Sequence, residues 1–390
     1  MRGALKSCGL FALGAAAVLA ALECVLRVLP TYSGLQPNPA AQDYPLRAYE
    51  ASRPYQYSAG WAMLNAHRGT TNNYGHVAPF DFRAGSRPVI VVGDSYIESL
   101  MNDYGDTLQG ILGARLGADR PVYGMGLSGL SASDYLEIAR RARAEFAPAS
   151  AVFLITDGDF VESLVPRPGG YHLERRGAEL VPTYVPLTPN PVVHALQKAV
   201  GPSALYDYLR RNLKFSPGDV LRALGSGLGG PSAATAAAAT SAQSASAANE
   251  GRQVVDWFLA ELPRVSGVAP ACTVLLVDSD RYAIYEGRAR LAPKESPDVR
   301  RRLLERGAQL GFKVVDLGPL FVAEYSRSRH KLDHWPVDRH WNRHGHAVAA
   351  DAVMAALFAG GLETRCAPGT DPGGAAPTAE PVARGQASIR

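Results

Sequence analysis

Cysteine is scarce in this sequence, with 4 among 390 residues, and none stands with histidine at the spacing of a zinc site. That is too few for a disulfide-dense scaffold, and no metal or organic cofactor is expected. Charge is thin as well, at 19% of residues with a net balance of +4. The basic runs Arg140-Arg141 and Arg300-Arg301-Arg302 lie in helix-like segments with glutamates close by, the pattern of solvated helix faces. Aromatic and basic residues do not interleave, so no nucleic-acid partner is expected. Internal repeats are absent.

Long apolar runs are missing too, with one exception. In "MRGALKSCGLFALGAAAVLAALECVLRVLP", Arg2 and Lys6 precede an apolar stretch from Cys8 to Leu29. Coiled as a helix it measures about 33 Å, enough for a hydrocarbon core of roughly 30 Å. The leading positive charges place the N-terminus in the cytoplasm and the remainder outside it. A cleaved signal peptide is the competing reading, because Ala20 and Ala21 suit a peptidase. The apolar stretch runs on past those alanines, which favours an uncleaved anchor with an exported, periplasmic-type body. An oxidising compartment permits a bridge between Cys272 and Cys366, whose separation the sequence does not set.

Residues 1–30 are thus read as a membrane anchor, and 31–87 as an extended lead-in, rich in Pro, Tyr and Asn, that wraps the edge of a domain at 88–366. Within that domain strand and helix patterns alternate. The strands are "PVIVV", "RPVYGMG", "SAVFLIT", "CTVLLVD" and "FKVVDL". The helices are "DTLQGILGARLG", "SASDYLEIARRARAEF", "SPDVRRRLLERGAQLG" and "NRHGHAVAADAVMAALFAG". This order argues for a mostly parallel sheet between helical layers, a three-layer α/β/α fold. The stretch Gly169 to Leu187 reads as a hairpin turning at Arg176-Gly177 that could border a substrate groove. Residues 225–250 hold almost no large apolar side chain and read as a disordered insert, in which alanine-rich patches can turn helical. Residues 367–390 read as a disordered tail.

The first strand runs without a spacer into Gly93-Asp94-Ser95. Ligands gather at the carboxyl ends of strands in an open parallel sheet, so Ser95 stands where chemistry is done. Asp94 or Ser95 can equally serve as a helix cap. A serine nucleophile needs a base, an orienter for that base, and donors for the oxyanion. Near the far end, "HWPVDRHWNRHGHAVAADAV" offers Asp338 and His340 just before the last helix. Asp338 would hold the imidazole, and His340 would take the proton from Ser95. His344 and His346 are rivals that the helical pattern carries away from the sheet edge. Asp333-His334 is a second pair nearby.

Gly93-Asp94-Ser95 after a first strand, with the late Asp338-x-His340-Trp341-Asn342-x-x-Gly345-His346, resembles the SGNH or GDSL hydrolases. The likeness spans roughly Pro88 to Gly360, and Asn73-Tyr74-Gly75 matches a lead-in of membrane-anchored members. The resemblance implies a flavodoxin-like sheet and a triad of Ser95, His340 and Asp338 working through an acyl-enzyme without a cofactor. It places oxyanion donors at Ser95, at Gly129 in "GMGLSGLSASDY", and at position 158. Gly158 stands where the family has asparagine, and Gly124 where an asparagine is often found. Losing one oxyanion donor costs about a hundred- to a thousandfold in rate, so the Gly158 amide or the Asn102 side chain would have to stand in. By analogy the substrate is an acylated carbohydrate, O-acetylated above all, or another small ester. Two further readings stay open. One is a cell-envelope or exopolysaccharide O-acetyltransferase with a membrane-bound acyltransferase as partner. The other is a non-catalytic carbohydrate-binding protein on a decayed hydrolase fold.

Overall fold

Val89–Gly93, Ser150–Ile155 and Thr273–Val277 are buried along their whole length and fold as strands because aliphatic, largely β-branched residues suit a pleated surface covered on both faces. The computed structural model describes residues 2–38, 44–177, 179–187, 201–215, 233–287, 297–358 and 366. Helix α1 (Arg2–Val28) is followed by a hairpin of β1 (Pro54–Ala59) and β2 (Leu64–Thr70). Then come β3 (Val89–Gly93), α2 (Ser95–Glu98), α3 (Leu108–Leu116), β4 (Val122–Gly126), α4 (Ala132–Phe146), β5 (Ser150–Ile155) and α5 (Asp159–Glu162). A second hairpin, β6 (Gly170–Arg176) and β7 (Glu179–Val185), precedes α6 (Ala204–Asp207) and α7 (Ala233–Ser266). The chain closes with β8 (Thr273–Val277), α8 (Arg281–Glu286), α9 (Pro297–Gln309), β9 (Lys313–Asp316), α10 (Leu317–Ser328) and α11 (Arg343–Phe358).

The central sheet has the order β4-β3-β5-β8-β9, and every pairing in it is parallel. Side chains alternate between its faces with the period of two that a strand imposes. Ile90, Val92 and Phe153 meet Ile138 of α4, Phe258 of α7 and Leu303 of α9. Val89, Val91 and Val152 meet Leu112 of α3, Phe321 of α10 and Val353 of α11. This is the expected α/β/α sandwich, and all five expected strands are in it. The expected hairpin at 169–187 forms as well, with Gly170 opposite Val185 and Arg176 opposite Glu179.

The lead-in is built into the core rather than laid around it. Leu35, Tyr49, Tyr55, Tyr57, Tyr74 and Phe82 are buried in the same cluster as Ile90, and Phe82 stacks on Tyr123 with ring centroids 4.1 Å apart. Cys272 and Cys366 form a disulfide that ties the chain beyond α11 to the start of β8. Cys8 and Cys24 are free and exposed. Within α1, the 22 residues Ser7–Val28 are apolar enough to cross a membrane, as an anchor or a signal sequence would be, and only 6% of the span's apolar window is buried.

One sequence expectation needs correction. Residues 233–250, read as part of a disordered insert, are the first half of α7. Alanine is the strongest helix former and loses no side-chain entropy. The second half buries Val254, Val255, Phe258, Leu259 and Leu262, and a helix nucleated there extends backward at little cost. Residues 225–232 of that insert and the tail 367–390 lie outside the described residues. Deleting residues 233–247 is expected to change the unfolding free energy by less than about 1 kcal/mol, because helix extension through the segment adds little net stability and the closure entropy of a shortened connection depends weakly on length. Urea unfolding measures this, and a loss of several kcal/mol would show that the segment packs.

Candidate active site

At the carboxyl end of β3 the chain must turn sharply into α2 while lying against β4. Gly126, the last residue of β4, permits this contact, since a Cβ there would sit 2.3 Å from the Glu98 amide nitrogen. Asp94 caps α2, its Oδ1 accepting from the Tyr96 amide at 3.0 Å. The capping role therefore falls to Asp94 and leaves the Ser95 hydroxyl available.

That hydroxyl meets His340. Ser95 Oγ lies 2.7 Å from His340 Nε2, and His340 Nδ1 lies 2.5 Å from Asp338 Oδ1. The His340 amide also donates to Asp338 Oδ1 at 3.0 Å, which locks the aspartate beneath the ring. A carboxylate can only accept, so Nδ1 carries the hydrogen and Nε2 presents its lone pair to the serine. The second carboxylate oxygen accepts from the Tyr57 hydroxyl at 3.3 Å. Burial, and then the charge of Asp338, push the Tyr57 pKa well up, so it stays a donor.

Burial opposes a charge on His340, but the hydrogen bond and charge of Asp338 outweigh it, with Asp94 and Glu98 adding to them. Its pKa is therefore raised above 6.5. Burial likewise opposes the charge on Asp338, yet the bonds from His340 hold its carboxyl well below the usual range. A base must be neutral to accept a proton. kcat/KM is thus expected to rise with pH through a midpoint above 6.5 and to level off beyond it. Asp338→Asn should move that midpoint down. A wild-type midpoint below 6 would contradict the assignment.

The loop bearing His340 is clamped from behind. Arg281, 3% exposed, donates through Nη2 to the Arg339 carbonyl at 2.8 Å and to the Tyr96 hydroxyl at 2.6 Å. Tyr96 donates in turn to the same carbonyl at 3.0 Å, and its ring lies 4.7 Å from the imidazole. Arg281 Nη1 is held by Asp278 Oδ1 at 2.5 Å, which also accepts from Trp341 Nε1 at 3.0 Å. Neighbouring bonds thus fix the backbone on each side of His340.

The rival histidines are occupied elsewhere. His346 Nδ1 accepts from the Leu108 amide at 3.1 Å, and its Nε2 meets Ser99 Oγ at 2.9 Å. Burial pushes its pKa down to about 3. His344 stacks on His330 with ring centroids 5.0 Å apart. His334 Nε2 meets Asn102 Oδ1 at 3.2 Å, and Asp333 lies 3.5 Å from Arg281 Nε. This second Asp-His pair therefore does not form a relay with Ser95.

Because β4, β3 and β5 are adjacent, the turns carrying Gly129, Ser95 and Gly158 emerge side by side at one end of the sheet. Among the described residues no acceptor takes the amide hydrogen of any of the three. The Gly129 carbonyl is held by Arg167, whose Nη2 also reaches Asp134 Oδ2 at 2.9 Å. Glu98 accepts from Tyr49 and from Ser128, next to Gly129. Gly158 has φ +106, a backbone that an L side chain adopts only under strain, so an asparagine could not simply replace it. Asn102 is no stand-in, because its amide nitrogen is committed to Ser99 Oγ at 2.9 Å and the Trp341 carbonyl at 2.8 Å. Gly124 lies within β4 against Gln109.

No sequence pattern marks Tyr57, Arg167 or Arg281, and Tyr96 has only its place directly after the serine. Tyr57→Phe is expected to lower kcat about two- to tenfold with KM unchanged, the worth of one hydrogen bond to the carboxylate. Steady-state rates on an activated ester check this, and unchanged kcat would remove Tyr57 from the relay. Among the described residues no cluster of His, Cys, Asp or Glu is placed to hold a metal.

No family model and no curated protein matches the chain. Among solved structures it is similar to an alpha/beta hydrolase enzyme from the metagenome of Lake Arreo, Spain, at 16% identity and a TM-score of 0.35, over 70% of this chain and 96% of that one. It is also similar to a member of the lipolytic protein G-D-S-L family from Veillonella parvula, at 12% identity and a TM-score of 0.34, over 70% of this chain and 97% of that one. The second of these carries the name of the family whose motifs the sequence resembles. At such TM-scores they add no weight to the site, whose case rests on its own distances.

Proposed function

We propose that the chain is a membrane-tethered, exported serine esterase that cleaves a small ester through an acyl-enzyme. The observation that carries this reading is the continuous relay from Ser95 Oγ through His340 to Asp338, at 2.7 and 2.5 Å. Ser95 Oγ attacks the ester carbonyl as its proton passes to His340 Nε2, and Asp338 stabilises the imidazolium. The oxyanion is met by the backbone amides of Ser95, Gly129 and Gly158, backbone dipoles already fixed before the charge develops. His340 returns its proton to the departing alkoxide. Water, deprotonated by the same nitrogen, then frees the serine.

The apolar helix α1 supports the tether, and the motif resemblance supports an O-acetylated carbohydrate as substrate. The intact relay counts against a decayed, purely binding role. The test is to incubate the purified full-length protein in detergent with an activated acetyl ester, with and without oligosaccharide acceptors, and to follow products by mass. Free acetate is expected in both cases. Acetylated oligosaccharide as the main product would replace hydrolysis by transfer, and neither product would refute the reading.

A further inference from the structure

Beyond Val28 the chain folds directly onto the catalytic body. The Tyr32 amide donates to Asn212 Oδ1 at 2.9 Å, and Ser58 Oγ donates to the Pro30 carbonyl at 2.5 Å. Glu23, still within α1, accepts from the Ala204 and Leu205 amides at 3.0 and 2.9 Å. The membrane-length span Ser7–Val28 measures about 33 Å as a helix, slightly more than a bilayer core of roughly 30 Å, so Glu23 and Arg27, in its last two turns, fall near the outer boundary. The body is therefore held against the end of the apolar helix with no free linker between them.

The surface at that junction is unusual. Trp61, at the tip of the first hairpin, is 78% exposed, and Leu209, Leu213 and Phe215 are 37%, 41% and 47% exposed. Tyr208 donates to the Trp61 carbonyl at 2.9 Å, which joins the hairpin tip to the segment 204–215. A groove lined by Leu22, Val25, Leu29, Trp61, Leu205 and Leu209 makes this surface continuous with α1. Arg210 and Lys214 are exposed between the apolar side chains. An exposed tryptophan, aliphatic residues and cations around the exit of a bilayer-length helix are the chemistry of a lipid interface.

We propose that Trp61, Leu209, Leu213 and Phe215 sit among the lipid headgroups around α1, with Arg210 and Lys214 meeting anionic headgroup phosphates. The surface rests on the tethered reading above. It also sets where the chemistry happens. Tyr57, which touches Asp338, is four residues from Trp61, a reach of at most about 14 Å. The seated body therefore holds its triad near the membrane surface.

The full-length protein in vesicles of phosphatidylcholine and phosphatidylglycerol tests this, with acyl chains brominated near the headgroup. Trp61 is one of 4 tryptophans, and Trp257, Trp335 and Trp341 are buried or half-buried in the body. Bromolipid should quench wild-type emission, and Trp61→Phe should abolish that loss. Replacing Arg210 and Lys214 by glutamine should weaken the quenching in vesicles containing phosphatidylglycerol. Equal, negligible quenching in wild type and Trp61→Phe, with both floating with the vesicles, would overturn the surface while the tether stands. A Trp61 shielded from acrylamide yet untouched by bromolipid would place a protein there, a second copy included, and also overturn it. A full-length chain that does not float with vesicles would refute the tether and this surface together.

Discussion

Ser95→Ala should reduce turnover of an activated ester to background, a loss on the order of a millionfold, with folding intact. The hydroxyl is half-buried at the first turn of α2, and its bond to His340 matters to chemistry far more than to stability. His340→Ala should be nearly as damaging. Combining the two should cost little more, since members of such a relay act as a unit. Asp338→Asn should leave measurable activity, because it disturbs tautomer and orientation without removing the base. His334→Ala and His344→Ala should keep most activity. His346→Ala should act on stability instead, by leaving the buried Leu108 amide without its acceptor. A dead His334→Ala beside an active His340→Ala would reassign the base.

Arg281→Leu should lower the unfolding free energy by about 3–5 kcal/mol, the usual result of removing one partner from a buried ion pair. The guanidinium lies between Asp278 and Asp333, whose side chains are 8% and 0% exposed. Its loss leaves two carboxylates uncompensated in the core. It also releases the Arg339 carbonyl, so activity should fall beyond what partial unfolding explains. Urea unfolding and active-site titration separate the two effects. A stability change below about 1 kcal/mol would mean that the cluster rearranges without Arg281.

The central sheet was legible because parallel strands covered on both faces read as unbroken apolar runs, as in Val89–Gly93 and Thr273–Val277. Ser95, Asp338 and His340 were legible because each lies in a short motif beside an element boundary. The lead-in was not. Its packing depends on side-chain bonds to backbone, such as Asn72 Oδ1 accepting from the Tyr74 and His76 amides at 3.0 Å, and such bonds leave no periodicity. Tyr57 stands 281 residues from the aspartate it supports, and no local pattern marks such a contact. Arg281 looked like any arginine after a strand until the fold closed Tyr96, Asp278 and Asp333 around it. The alanine-rich insert misled because composition argues against a packed core, whereas helix propensity needs only an anchored end.

The central claim is that Ser95 is an activated nucleophile, and covalent capture by a fluorophosphonate tests it most directly. Peptide mass analysis of the folded, labelled protein should find one adduct, on Ser95, absent after Ser95→Ala and much slower to form in His340→Ala. No adduct in folded wild-type protein, or an adduct on another serine that survives Ser95→Ala, would contradict it.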